Sequence, residues 1–570
     1  MSKWFRISSL DRGILALAAV LFLAADSARA QSPAPQAPPA PQTPPPAGRP
    51  SGSGTQTPEQ AKPDATSAPE THITPEQAKQ LFGLVDELIK FSSQETGLPI
   101  KSQVKRQLTT RTAVEKYLRE KFEDDEDAKR MQRSEIVLKK FGLLDRDFDL
   151  KPFLLDLLKE QIAAYYDPKE KMINMLDWVS IDEQKSVLAH ELTHALQDQH
   201  VNLDKWSDQT PSDVSRTSAE DSDHLAKDEM DTARDAVTEG QATAVMTDNI
   251  LKPMGKSLVG DPEVVELLKQ RMAASGDSPI LARAPLLLSE SLLFPYREGL
   301  SFEQDLWMDR GQAAAFTGAL DRPPSSTWEI LNPREYEQQH KPSVPFLPDI
   351  HSLLDATYRP YDIGQVGELD VHILANLFGG EKAARDLTPA WDGGMYWAGQ
   401  RLDATPQEQA TTKSIAFFYL SVWRNEKSAQ AFASLYADEL GRKYSGLKVD
   451  NAAMKDASPT EGITEKVWTT KEGPVVITQK GKLVFVAESF DLPVARKLAL
   501  MILETQGNGN GSLQRASIAH PGATTIAATQ SGSSPRSGSL TGPMVRFMSS
   551  CGVTKAVVDA VLQGTRHLKD

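Results

Sequence analysis

Cysteine is nearly absent, Cys551 being the only one in 570 residues. That excludes an internal disulfide and a lipid anchor on an N-terminal cysteine, so stability has to come from apolar burial or from a bound metal. Basic runs interleaved with aromatics are missing as well, and the formal net charge is -14. Nucleic acid is therefore not an expected partner, because phosphate binding needs a concentrated cationic surface. Long apolar runs are limited to one, Gly13 to Ala25, which falls short of the roughly 20 residues that span a bilayer. No internal repeat is visible. What is present is ordinary globular material, 40% hydrophobic and 25% charged, in a chain long enough for two or three domains at roughly 150 residues each.

Lys3, Arg6 and Arg12 precede the apolar run, and Ala28-Arg29-Ala30 offers a small-x-small cleavage site. Residues 1–30 thus read as a cleaved signal peptide, and the mature protein as exported, periplasmic or extracellular, without stable membrane insertion. Residues 31–73 are mostly Pro, Ala, Gln, Ser and Thr and read as a disordered linker, since they cannot bury enough apolar surface to offset ordering entropy. Helical periodicity begins at Thr74, and 74–150 reads as a helical N-terminal support region, with an inhibitory pro-segment as the alternative. A further helix is expected over Pro152–Tyr165, and Met172–Leu176 reads as a strand. Ser180-Ile181-Asp182-Glu183 is a capping-box pattern announcing a helix to about Gln199. A second helix is expected from Asp228 to Asn249, and the chain onward to Arg401 as mostly helical. Residues 405–505 read as a small α+β domain: a strand at Ile415–Trp423, a helix at Glu426–Leu440, two strands within Lys466–Ser489 and a last helix at Pro493–Leu503. Residues 506–570 read as a low-complexity tail with one short helix near Val553–Leu562.

The chemistry concentrates in His190-Glu191-Leu192-Thr193-His194, inside the expected helix 181–199. Residues four apart on an α-helix lie about 40° apart around its axis, so both imidazoles project to one side and can grip a single ion. A catalytic zinc takes three protein ligands and keeps one position for water, and an adjacent carboxylate, here Glu191, can take that water's proton. His200 lies six residues beyond His194, a spacing used by metzincin sites, but Gln197 stands where those sites use glycine to leave the helix. On an unbroken helix His200 points about 120° away from His194. Glu239 is the better third ligand, in Glu239-Gly240-Gln241-Ala242-Thr243, whose small residues permit close helix approach. Another Asp or Glu stays open as an alternative.

The run His190-Glu191-Leu192-Thr193-His194-Ala195 resembles the active-site helix of thermolysin-like peptidases, the gluzincins, whose third ligand is a glutamate on a following helix. The resemblance implies His190, His194 and Glu239 as ligands of one zinc ion per chain, Glu191 as general base, and an α+β, predominantly helical zincin-like catalytic domain over 151–404. More widely, Tyr166-Asp167-Pro168, His190–His200, Glu239-Gly240, Pro323-Pro324-Ser325-Ser326-Thr327 and Trp391-Asp392-Gly393-Gly394 resemble a little-characterised group of secreted bacterial proteins, over about 74–503. One departure stands out. Where the gluzincin glutamate helix carries an Asp four residues on, this chain has Thr243, so support for a ligand histidine must come from elsewhere, with Asp198 and Asp235 as candidates.

The expected reaction is hydrolysis of a peptide or protein substrate, with Glu191 moving the proton from water to the leaving amine. Tyr166, Tyr336, His351, Tyr361 and Tyr396 are the candidates for stabilising the oxyanion. The strand Met172–Leu176 is expected to lie along the cleft as an edge. The alternatives are an inactive metal-binding envelope scaffold and a zinc amide or ester hydrolase of non-peptide substrates.

Overall fold

Thr74 starts the first helix by a reciprocal cap: its hydroxyl accepts from the Gln77 backbone N–H, and the Gln77 side chain accepts from the Thr74 N–H. This helix, α1 (Pro75–Thr96), buries Leu81, Val85, Leu88 and Ile89 and ends at Gly97 with φ 72°. A computed structural model of the chain describes residues 72–124, 126–207, 209, 215–274, 278–456, 462–506, 548 and 555–566, all in the unit Pro69–Asp570. The expected signal peptide and nearly all of the linker lie outside the described residues, as does most of the tail.

After α1 come β1 (Lys105–Thr109), α2 (Arg111–Asp124), α3 (Glu126–Phe141), α4 (Leu150–Gln161), β2 (Ala164–Asp167) and β3 (Met172–Leu176). The helix expected to reach Tyr165 stops at Gln161, and Ala164-Tyr165-Tyr166-Asp167 becomes a strand, as suits its two aromatics. The three strands form one sheet in the order β1-β3-β2, with β1 parallel and β2 antiparallel to β3. Two consequences follow. The strand expected at an edge, β3, is the central one, so both its sides are already paired. The region 74–150 supplies β1 to this sheet, and α1 packs on the helix carrying the histidines, where Ser92 Oγ donates to Ala189 O at 3.2 Å. It is therefore built into the fold.

The next helices are α5 (Ile181–Val201), α6 (Leu203–Trp206), α7 (Ser218–Lys227), α8 (Met230–Leu251), α9 (Glu263–Ala274) and α10 (Leu286–Arg310). Helix α5 begins at the Ser180 hydroxyl, which accepts from Glu183 N–H, as the capping pattern implied. It packs against α1 on one side and α8 on another, and α8 in turn lies against α10. The α8–α10 crossing is set by glycine. A Cβ on Gly240 would lie 2.3 Å from the Gly299 carbonyl, and one on Gly299 would lie 2.1 Å from the Ala236 oxygen, so only hydrogen atoms fit between the two backbones.

Seven antiparallel strands make the second sheet, in the order β4 (Tyr358–Gln365), β5 (Trp391–Arg401), β6 (Ile415–Trp423), β10 (Leu483–Glu488), β9 (Gly473–Lys480), β8 (Ile463–Thr470), β7 (Lys448–Val449). Alternation assigns its faces. Trp397, Phe418 and Phe485 enter a core with the helix Leu492–Thr505, while Tyr396, Phe417, Tyr419 and Val484 face the larger core shared with the helical region. The boundary expected at 404–405 cuts this sheet, because β4 and β5 precede it. Strand β5 was hidden in the sequence by Gly393, Gly394 and Gly399, and by burial of both faces, which removes the polar alternation. Where two strands were expected within Lys466–Ser489, three hydrogen-bonded strands span Ile463–Glu488.

The tail's expected short helix is Lys555–Arg566; it docks on α9, buries Val557 and Val561, and its Ala556 N–H donates to Gln161 Oε1 at 3.0 Å. The fold is thus α+β and mainly helical. Among the described residues no helix is long and apolar enough to cross a membrane.

Candidate metal centre

Helix α5 is amphipathic in an unusual sense: from Ser186 to Asp198 every residue is buried. Val187, Leu188, Leu192, Ala195 and Leu196 occupy the apolar core, and His190 and His194 turn toward α8, with His190 also meeting the Tyr296 ring of α10. Helix α8 brings Glu239 to the two histidines. His190 Nε2 lies 3.1 Å from Glu239 Oε2, His194 Nε2 lies 3.4 Å from the same oxygen, and the two Nε2 atoms are 3.0 Å apart. A tetrahedral ion bound at ~2.0–2.1 Å sets its donors about 3.3 Å from one another, so the spacing and the donor types suit a small divalent cation. The three form the one His/Cys/Asp/Glu cluster of metal-binding size among the described residues.

Electrostatics agree with that grouping. Burial opposes the charge on Glu239, but the two imidazoles outweigh it and bring its carboxyl down to about 2. Burial likewise pulls His194 down, and the Glu239 carboxylate more than reverses this, pushing the imidazole up to about 9. The two thus form an imidazolium–carboxylate pair, whose proton a bound cation would displace. Glu191 is fully buried beside the two histidines, and His194, at 9% relative exposure, is the most accessible member of the site.

The outer contacts differ from the expected ones. His194 Nδ1 meets Gln197 Oε1 at 2.9 Å, and Gln197 Nε2 donates to Thr238 O at 3.0 Å and to Gln241 Oε1 at 2.9 Å. Asp198, a candidate for this role, points away: one oxygen accepts from the Tyr166 hydroxyl at 2.8 Å and from Lys171 Nζ at 2.6 Å, the other from Leu203 N–H at 3.1 Å. Those partners, from β2, from the turn between β2 and β3 and from the start of α6, hold it off His194 although the two residues share a helix face. Asp235 is buried on α8, one turn before Glu239. The Tyr296 ring lies over the His190 ring at 6.1 Å, a contact from α10 with no local sequence signal.

The oxyanion candidates are engaged elsewhere. Besides Tyr166 on Asp198, Tyr336 donates its hydroxyl to Arg322 O at 2.6 Å, Tyr361 to Arg133 O at 3.3 Å, and His351 lies between Asp221 and Asp355 at 3.1 and 3.2 Å. Tyr396 is buried on β5, hydrogen-bonded with Asp362. His200 meets Asp321 at 2.9 Å and does not join the cluster, as expected of an unbroken helix. No protein-family model, curated protein or solved structure matches the chain.

Proposed function

We propose that this protein is an exported zinc metallopeptidase of the gluzincin type, with a zincin-like catalytic domain. The observation that carries the reading is the meeting of His190, His194 and Glu239, from two helices distant in sequence, within 4.8 Å of one another. Two imidazoles and one carboxylate are a donor set suited to zinc, and three protein ligands leave room for water. A bound zinc would supply Lewis-acid activation of a water molecule and of the scissile carbonyl. Glu191, next to His190 in sequence and buried with it, would be the general base, accepting a proton from the attacking water and returning it to the leaving amine. The basic, apolar and small-x-small order of residues 1–30 supports export.

A second reading is a metal site without turnover, or one acting on a small amide or ester. It is favoured by depth, since no residue of the site exceeds 9% exposure and a polypeptide would need the site to open. Metal analysis and casein cleavage on the chain from Gln31 separate these readings. For a peptidase, zinc is expected at one per chain and is retained in Glu191→Gln but lost in Glu239→Ala, with cleavage confined to the unmutated protein. Zinc without casein cleavage favours the second reading, and absence of zinc from the unmutated chain ends both.

A further inference from the structure

Backbone carbonyls only accept hydrogen bonds, and three of them orient the amides behind His194. Gln241 donates its NH2 group to Ala315 O at 3.1 Å and to Phe316 O at 3.0 Å. Both carbonyls belong to a π-helical turn, Ala314–Gly318, where the wider winding offers acceptors that a regular α-helix would use internally. With its nitrogen committed there, Gln241 presents its oxygen to Gln197 Nε2. A third carbonyl, Thr238 O, independently draws the same Gln197 nitrogen. Gln197 therefore faces His194 Nδ1 with its oxygen, and an oxygen at 2.9 Å from that ring nitrogen requires a proton on Nδ1.

We propose that Gln197 and Gln241 form a neutral amide relay that holds His194 as its Nδ1–H tautomer, so that the Nε2 lone pair points at the metal; this rests on the metal-site reading above. The relay fixes ring orientation as well as tautomer, because each amide is held at both ends. It also joins the ligand-bearing helices: Gln197 is one turn from His194, and its second acceptor, Thr238 O, immediately precedes Glu239. A carboxylate in place of Gln197 would add a further buried acidic group to Glu239 and Glu191, whereas the amide orders the imidazole without doing so. His190 has no such support from hydrogen bonding at Nδ1, which is buried without a hydrogen-bond partner among the described residues. Gln197 is a positioning residue, and the metal's hold on the site should depend on it more than the fold does.

The test uses the metal-free chain from Gln31, titrated with zinc against a competing fluorescent chelator and, separately, loaded with cobalt(II). Gln197→Met keeps the side-chain length and removes both hydrogen-bonding functions; Gln241→Met removes the next link. Gln304→Met is the control, since Gln304 is likewise buried and donates to Leu258 O at 2.8 Å, outside the relay. Zinc affinity is expected to fall about 10- to 100-fold in Gln197→Met, less in Gln241→Met, and to stay unchanged in Gln304→Met. The visible bands of bound cobalt(II) are expected to shift in the first two variants only. Unchanged affinity and spectrum in Gln197→Met overturn the relay while leaving the metal site standing. Absence of zinc binding by the unmutated chain overturns the site itself. If Gln197→Met does not fold, Gln241→Met decides by the same two readouts.

Discussion

Gly240→Ala tests the crossing that places Glu239. The added methyl would lie 2.3 Å from the Gly299 carbonyl carbon and oxygen, against an ordinary contact of 3.4 Å or more, so a gap of about 1.1 Å must open. The obstacle is backbone, which cannot rotate aside as a side chain would. Overpacking of this kind costs about 1–3 kcal/mol, and backbone contact puts it at the upper end. Alanine's better helix propensity offsets about 1 kcal/mol, leaving a net loss of about 2 kcal/mol. The larger effect falls on the neighbouring residue. Glu239 shares a turn with Gly240, and metal–ligand distances tolerate only about 0.2 Å, so zinc affinity should fall at least tenfold, or about 1.4 kcal/mol. Gly83→Ala supplies the opposite sign, because Gly83 lies in α1 and nothing stands within 4 Å of where its methyl would sit; there only the propensity gain of up to about 1 kcal/mol remains. Urea unfolding of the metal-free chain and zinc titration measure both terms. The reasoning fails if Gly240→Ala unfolds at the wild-type midpoint and binds zinc with wild-type affinity.

Glu229 lies just before α8, where it accepts from the Thr327 backbone N–H at 3.0 Å and from its hydroxyl at 2.6 Å. Burial, with Asp370 nearby, pushes its carboxyl up to about 8. A folded value raised above the ordinary 4.5 means that this group favours folding below that pH and loses the contribution as pH rises toward 8. Glu229→Gln should therefore flatten the decline in stability between about pH 5 and 8; urea midpoints with the same pH slope in both proteins would refute it. Lys443 and Glu488 form a buried ion pair, and Tyr436 and Tyr444 donate their hydroxyls to the same carboxylate. Lys443→Met removes the cation bonded to that carboxylate and leaves the buried Lys140 as the remaining positive charge near it; it should destabilise by about 3–5 kcal/mol in urea unfolding, while a loss below about 1 kcal/mol would show that Lys140 and the tyrosines suffice.

The likeness of expectation and structure depends on whether the signal is local. The caps at Thr74 and Ser180, the period of α1, and the spacing of His190 and His194 are set by residues within one or two turns, so they are legible in the chain. Gln197 lies only three residues from His194, but nothing local marks an amide as the support of an imidazole when a carboxylate, Asp198, stands beside it; the contacts of Asp198 with Tyr166 and Lys171 are tertiary. Strand β5 was not legible, because a strand buried on both faces and rich in glycine carries neither polar alternation nor high strand propensity. The central place of β3 was equally hidden, since it depends on pairing with β1 across more than sixty residues.

By itself, then, the sequence determined that two imidazoles and a carboxylate share one turn of helix, that a cysteine-poor chain needs apolar cores, and that a mainly helical α+β fold follows. Helical spacing and composition act over short range, and no tertiary partner is needed to state them. Only the tertiary structure decided that Glu239 meets His190 and His194, that Gly240 and Gly299 allow α8 and α10 to touch, and that carbonyls from a π-helical turn order the amides behind His194. Those contacts join elements dozens of residues apart, and their geometry is fixed by how whole helices pack rather than by any neighbour in the chain.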